Sequence, residues 1–166
     1  LADRLTRFHA DISRTKVAPT SCQPGHLHTC QPFHMTDSIQ KTILVAVTDI
    51  FFYTKVRDAL MSKGYKIERA RTQQDIAEKA LAATPSAFIL NMNDERLDAF
   101  QALETLKADT SMEAIPILAF ANHEEVDTFN RARALGVTKI VSRNEFSSRL
   151  KDLIEEILAA GVRGKG

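Results

Sequence analysis

From Thr42 to Ala160, short apolar runs and longer amphipathic ones alternate five times, and few architectures accommodate that pattern. TILVAV (42–47), AFILN (87–91), IPILAF (115–120) and VTKIVS (137–142) are too short for helices and rich in apolar residues, so they read as buried strands. YKIERA (65–70) alternates with a period of two and reads as a fifth. FFYTKVRDALMSKG (51–64) places Phe52, Val56, Ala59 and Leu60 on one helical face and ends at Gly64, a C-cap signal. QQDIAEKALAA (73–83) turns Ile76, Ala80 and Leu81 inward, and RLDAFQALETLKAD (96–109) does so through Leu97, Phe100, Leu103 and Leu106. EEVDTFNRARALG (124–136) and FSSRLKDLIEEILAA (146–160) supply the last two helices. Strands each followed by a helix predict an α/β fold, a doubly wound five-stranded parallel sheet. Near-continuous apolar strands agree, because helices would cover both faces of such a sheet.

Ligands of such sheets sit beyond the carboxyl ends of the strands. Function is therefore sought at residues 47–50, 91–95, 121–123 and 142–145. In SAFILNMNDE (86–95), Phe88, Ile89 and Leu90 drive into Asn91 and a polar run follows, as when a buried strand delivers one side chain to the rim of a crevice.

The rest of the chain narrows the classes. No apolar run approaches the roughly 18–20 residues that span a bilayer, and the first twenty residues lack the continuous apolar stretch of a signal peptide. The net charge of +1 hides a mildly acidic body and no clustered basic element of the kind nucleic acids bind. Neither a membrane nor a nucleic acid is an expected partner. Residues 1–40 read as a linker-like extension with one short amphipathic helix through Leu1, Leu5, Phe8 and Ile12. Met35 stands directly before the alternating pattern, which leaves open whether residues 1–34 are native to the domain. The domain itself is expected over 41–160, with 161–166 as a flexible tail. Cys22, His26, His28 and Cys30 lie within nine residues, too tight for the usual tetrahedral zinc spacing, so no metal is expected there. Both cysteines precede the body, which suits a reducing cytoplasm. Phosphate-cradling glycine motifs and internal repeats are absent from the sequence, and His123 reads as a surface histidine.

The segments ILVAV, PSAFILN, IPILAFA and ALGVTKIVSRNEF resemble those of a bacterial response-regulator receiver domain, over residues 41–158. The resemblance implies a flavodoxin-like (βα)5 fold with strand order 2-1-3-4-5. In that family an acid pair after the first strand binds Mg²⁺ and an aspartate ending the third accepts phosphate. A Thr or Ser ends the fourth strand and a Lys, usually followed by Pro, ends the fifth. Aligned on this chain, the acid pair falls on Val47 and Thr48, followed by Asp49. The phosphoacceptor falls on Asn91, the hydroxyl on Ala121, the lysine on Arg143, the proline on Asn144 and the aromatic switch position on Ile140.

Each departure has a chemical consequence. Val47 offers no side-chain oxygen to Mg²⁺ and Thr48 only a neutral one. The Asn91 amide is a very poor nucleophile. Ala121 cannot hydrogen-bond a phosphoryl group, and Arg143 is a planar fork rather than a point ammonium. The expectation is a pseudo-receiver: a degenerate phosphorylation pocket that is not an enzyme, needs no cofactor and has a neutral floor of Thr48, Asn91 and Ser142. Asp49 and Arg143 are expected either to pair across it or to stand solvated.

The stretch TDIFFYTKV places Ile50, Phe51 and Tyr53 toward solvent or the crevice mouth, as a protein interface. The opposing reading folds one or two of them back onto the loop after the fifth strand. Expected partners are signalling proteins (a kinase, a phosphotransfer protein or an output protein) or a second copy of the chain. The surface that receivers often use to dimerise offers Arg131, Lys139, Arg149 and Asp152, a polar set without an apolar anchor. A receiver-derived domain that senses a small ligand or an anion held by Arg143 is the alternative function. An enzyme on the same fold ranks below both, since no nucleophile–base pair is present.

Overall fold

The computed structural model describes residues 40–163. The expectations for residues 1–34, namely the Leu1–Ile12 helix and the Cys22, His26, His28 and Cys30 group, lie outside the described residues. The elements follow in strict alternation: β1 (Thr42–Ala46), α1 (Ile50–Met61), β2 (Lys66–Ala70), α2 (Gln73–Ala83), β3 (Ala87–Asn91), α3 (Ala99–Ala108), β4 (Ile117–Ala121), α4 (Val126–Ala134), β5 (Lys139–Ser142) and α5 (Arg143–Arg163). All strand pairs are parallel and the sheet runs β2-β1-β3-β4-β5.

Two cores follow from the pleat, because successive strand residues point to opposite faces. Leu44, Ala46, Phe88, Leu90, Ile117 and Ala119 pack with Ile76, Leu103 and Leu106 on one face. Ile43, Val45, Val47, Ile89, Leu118 and Phe120 pack with Val56, Leu60, Phe146 and Leu153 on the other. Phe120 lies at the centre of an aromatic column, 5.4 Å from the Phe52 ring and 4.1 Å from that of Phe146.

Several expected elements move. Leu81 is 57% exposed rather than inward. At about 100° per residue, it stands well round the helix from Ile76 and Ala80, which set the buried face. α2 nevertheless begins and ends at the expected residues, closed by a Thr72–Asp75 capping box and by Thr84 in the left-handed conformation (φ 40°). α3 starts at Ala99 rather than residue 96, since Asp98 accepts from the Gln101 N–H and caps the helix. Leu97 is buried just ahead of it. α5 begins at Arg143, directly after the sheet, bends at Arg149 (φ −122°) and continues to Arg163, past the tail boundary expected at 161. No helix among the described residues is long and apolar enough to cross a membrane.

Candidate functional site

The carboxyl ends of β1, β3 and β5 open into a crevice of about 610 Å³ lined by Thr48, Asp49, Asn91, Asp94, Arg96 and Arg143 among others. Asn91 forms its floor. It is the one polar side chain among the described residues to be buried, at 3% exposure, because β3 is the central strand and both its faces are covered. Its carbonyl oxygen accepts the Asn93 N–H at 3.2 Å, a turn that folds the polar run back over the strand end. Val47 and Ala121 are fully buried beneath the loops. Ser142 stands apart from the expected neutral floor, since its hydroxyl accepts the Glu145 N–H and starts α5.

Several oxygens near the expected metal position already accept or donate bonds within the chain. Asp49 is the N-cap of α1 and accepts the Phe51 N–H at 2.8 Å and the Phe52 N–H at 3.3 Å. Thr48 donates both its N–H (2.8 Å) and its hydroxyl (2.6 Å) to Asp94. Arg69 from β2 donates to the carbonyls of Val47 (3.4 Å) and Thr48 (2.9 Å), so a guanidinium already sits over that loop. No cluster of three or more His, Cys, Asp or Glu side chains suited to a metal occurs among the described residues. Mg²⁺ requires several oxygen ligands with carboxylates among them. Of residues 47–49 only Asp49 offers a carboxylate, and its Oδ1 is committed to the α1 amides.

The expected Asp49–Arg143 pair does not form, because the Asp49 carboxylate serves the amides of its own helix. Arg143 instead places its guanidinium 5.5 Å from the centre of the Phe52 ring, with its Nε buried and without a hydrogen-bond partner among the described residues. Of the two groups expected to stand solvated, Asp49 is exposed while Arg143 is partly buried.

Asn93, Asp94 and Glu125 organise the site although the alignment gave none of them a role. Asp94 receives the Thr48 bonds and the Arg96 N–H at 3.0 Å. Glu125, at the start of α4, receives bonds from Asn93 (2.8 and 2.7 Å), Asn122 (3.0 Å) and Thr128 (2.9 Å). Those bonds, from Asn93 above all, hold the Glu125 carboxyl below the ordinary glutamate range, and the nearby Arg143 charge adds to the effect. The sequence signal was the polar runs NMNDE and ANHEE directly after two central strands.

Of the expected interface, Ile50 (65%) and Phe51 (62%) are exposed at the crevice lip. Tyr53 does not join them. It is half-buried against the α1–α5 core, with the Arg69 guanidinium 4.1 Å from its ring centre. Phe52 divides the patch from the core, its ring tilted 35° against that of Phe120.

No protein-family model matches the chain, and no curated protein does. Solved structures do. A response regulator of Chloroflexus aurantiacus superposes with a TM-score of 0.67 at 17% identity, over 72% of this chain and 98% of that one. The chemotaxis response regulator CheY4 of Vibrio cholerae gives 0.64 at 18%, over 71% and 98%. A CheY-like receiver domain protein of Methanospirillum hungatei gives 0.67 at 14%, over 75% and 98%. The chain has the receiver fold of two-component signalling. Within that fold, the crevice described above lies at the carboxyl edge of the sheet, where receivers carry their phosphorylation site. This receiver fold presents a buried amide there, flanked by oxygens bound to other groups of the protein.

Proposed function

We propose that this domain is a pseudo-receiver: a non-catalytic, phosphorylation-independent interaction module of bacterial two-component-type signalling, acting in the cytoplasm. The observation that carries the reading is the buried Asn91 at the end of the central strand, beside a β1–α1 loop with a single carboxylate, whose Oδ1 caps α1, and a Thr48 hydroxyl bonded to Asp94. An amide cannot attack phosphorus usefully, and without a cation site the charge of an incoming phosphoryl group has little to balance it. Output then passes through contact with a kinase, phosphotransfer or output protein, or with a second copy.

Ile50 and Phe51 are the candidate anchors of that contact, because truncation of a buried interface anchor loses roughly 2 kcal/mol or more. The opposite surface is less suited. Arg131 lies 4.0 Å over the Phe100 ring, Arg149 pairs with Glu145 (3.1 Å) and Glu156 (2.9 Å), and Lys139 also pairs with Glu156. Three of its cations are thus already occupied within the chain. The test compares Ile50→Ala/Phe51→Ala with Arg131→Glu/Arg149→Glu for capture of signalling partners without any phosphodonor, each variant first matched to wild type by circular dichroism. Loss of capture only in the first variant supports the reading; loss only in the second overturns the surface assignment.

A second reading is favoured by one observation, the buried Nε of Arg143 beside the crevice, which has no hydrogen-bond partner among the described residues. It makes the domain a sensor of a small anion. Phosphate or acetate titration followed by amide chemical shifts would support it if Arg143 and Asn91 respond together and Arg143→Gln abolishes the response.

A further inference from the structure

We propose that Glu125 is a built-in anion whose carboxylate fills a donor-lined site between the β3–α3 and β4–α4 loops and thereby holds the start of α4 in one conformation without a bound ligand. An acidic or hydroxyl residue at the start of a helix ordinarily accepts from the amides of its own first turn. Asp49 and Asp98 do so in α1 and α3. Glu125 occupies the same position in α4, yet the α4 amides receive no side-chain cap among the described residues. Its two oxygens turn outward to the carboxamides of Asn93 and Asn122 and the hydroxyl of Thr128.

Asn93 is the bridge. Its carboxamide oxygen accepts the Asn122 N–H at 2.8 Å while its nitrogen donates to Glu125, so one side chain from the β3–α3 loop grips both backbone and side chain of the β4–α4 loop. Asn122 also accepts the Glu125 N–H through its carbonyl at 3.2 Å, which closes the turn. Three neutral donor side chains around one carboxylate, with the Arg143 charge behind them, form an anion site that the protein fills itself. The Thr48–Asp94 bonds tie the β1–α1 loop to the same β3–α3 loop. The loops at the ends of β1, β3 and β4 are therefore linked by two carboxylates in series. What they hold in place includes Val126, 64% exposed at the first position of α4. The inference rests on this network rather than on the signalling reading, and its test uses the isolated chain.

The experiment is residue-resolved amide hydrogen exchange on the full chain, wild type against Glu125→Ala. A hydrogen bond to a charged group contributes enough that losing even one changes an opening equilibrium about tenfold. The bonded amides of Asn122, Glu125 and Phe129 should exchange at least about that much faster in Glu125→Ala, with β3 and β4 unchanged. Acetate or formate should refill the vacated site and restore protection, whereas chloride at equal ionic strength should not. Unchanged exchange at these amides overturns the proposal. So does lost protection that acetate and formate leave unrepaired, since the site would then not be one for an anion. If Glu125→Ala does not fold, Asn93→Ala removes the bridge instead. Faster exchange of the Glu125 and Phe129 amides in that variant supports the proposal, and unchanged exchange there overturns it.

Discussion

Replacing Asp94 with alanine removes the acceptor of three hydrogen bonds, from the Thr48 N–H (2.8 Å), the Thr48 hydroxyl (2.6 Å) and the Arg96 N–H (3.0 Å). Bonds to a charged acceptor contribute roughly 1.5–3 kcal/mol each when water is excluded. This cluster is only half-buried, so water recovers most of the freed donors and the net loss is about 2 kcal/mol in all. For a domain of ~120 residues, 1 kcal/mol corresponds to about 4 °C in Tm. Asp94→Ala should therefore melt about 8 °C below wild type, and Asp94→Asn, which keeps one acceptor oxygen, should fall between. The assay is thermal unfolding followed by circular dichroism, with and without millimolar Mg²⁺. Because Asp94 ties the loops through hydrogen bonds, Mg²⁺ should shift neither protein. An Asp94→Ala midpoint indistinguishable from wild type would show that the bonds carry no stability. A wild-type midpoint raised by several degrees with Mg²⁺, and not raised in Asp94→Ala, would show that the carboxylate is a metal ligand instead.

Other expectations are narrower. Asn91→Asp alone should gain no phosphoryl group from acetyl phosphate and Mg²⁺, because Val47 and Thr48 supply no acid pair to hold the ion; an adduct would mean that Asp49 or Asp94 can supply a metal site. Leu81→Ala should change stability by less than about 0.5 kcal/mol, whereas Ile76→Ala, on the buried face of the same helix, should cost about 2–4 kcal/mol by urea unfolding. Thr84→Gly should raise stability by about 0.5–1 kcal/mol, since a β-branched residue is strained at φ 40°. Glu125 has its folded pKa depressed, so its stabilising bonds are fully present above the ordinary glutamate value of about 4.3 and are lost as the pH falls through the lower folded value. Asn93 and Thr128 resonances should titrate in that acid range in wild type, where Arg143 is the charge facing the group, and stay flat in Glu125→Gln.

The sheet was legible because its determinants are local. β3 falls on the expected residues since an apolar run is bounded by Pro85–Ser86 and by Asn91, and α2 does so since Thr72 and Thr84 punctuate it. Leu97 shows how periodicity overreaches: it is buried and in phase with α3, yet Asp98 delays the helix to Ala99. The crevice was legible only where strand ends deliver it. Val47, Asn91 and Ala121 follow from strand register, but the bonds from Thr48 to Asp94 and from Asn93 to Glu125 join residues far apart in sequence through the folding of two loops. No periodicity encodes such a meeting. Tyr53 differs from the expectation for a related reason, since it packs on the core beneath Arg69, which reaches across from β2 to the end of β1.

The central claim, that this receiver fold works without phosphotransfer, is tested most directly by intact-mass measurement of the wild-type chain after incubation with acetyl phosphate and Mg²⁺. The expected result is an unchanged mass. A gain of about 80 Da, the mass of one phosphoryl group, mapped by peptide fragmentation to a side chain lining the crevice, would contradict the claim.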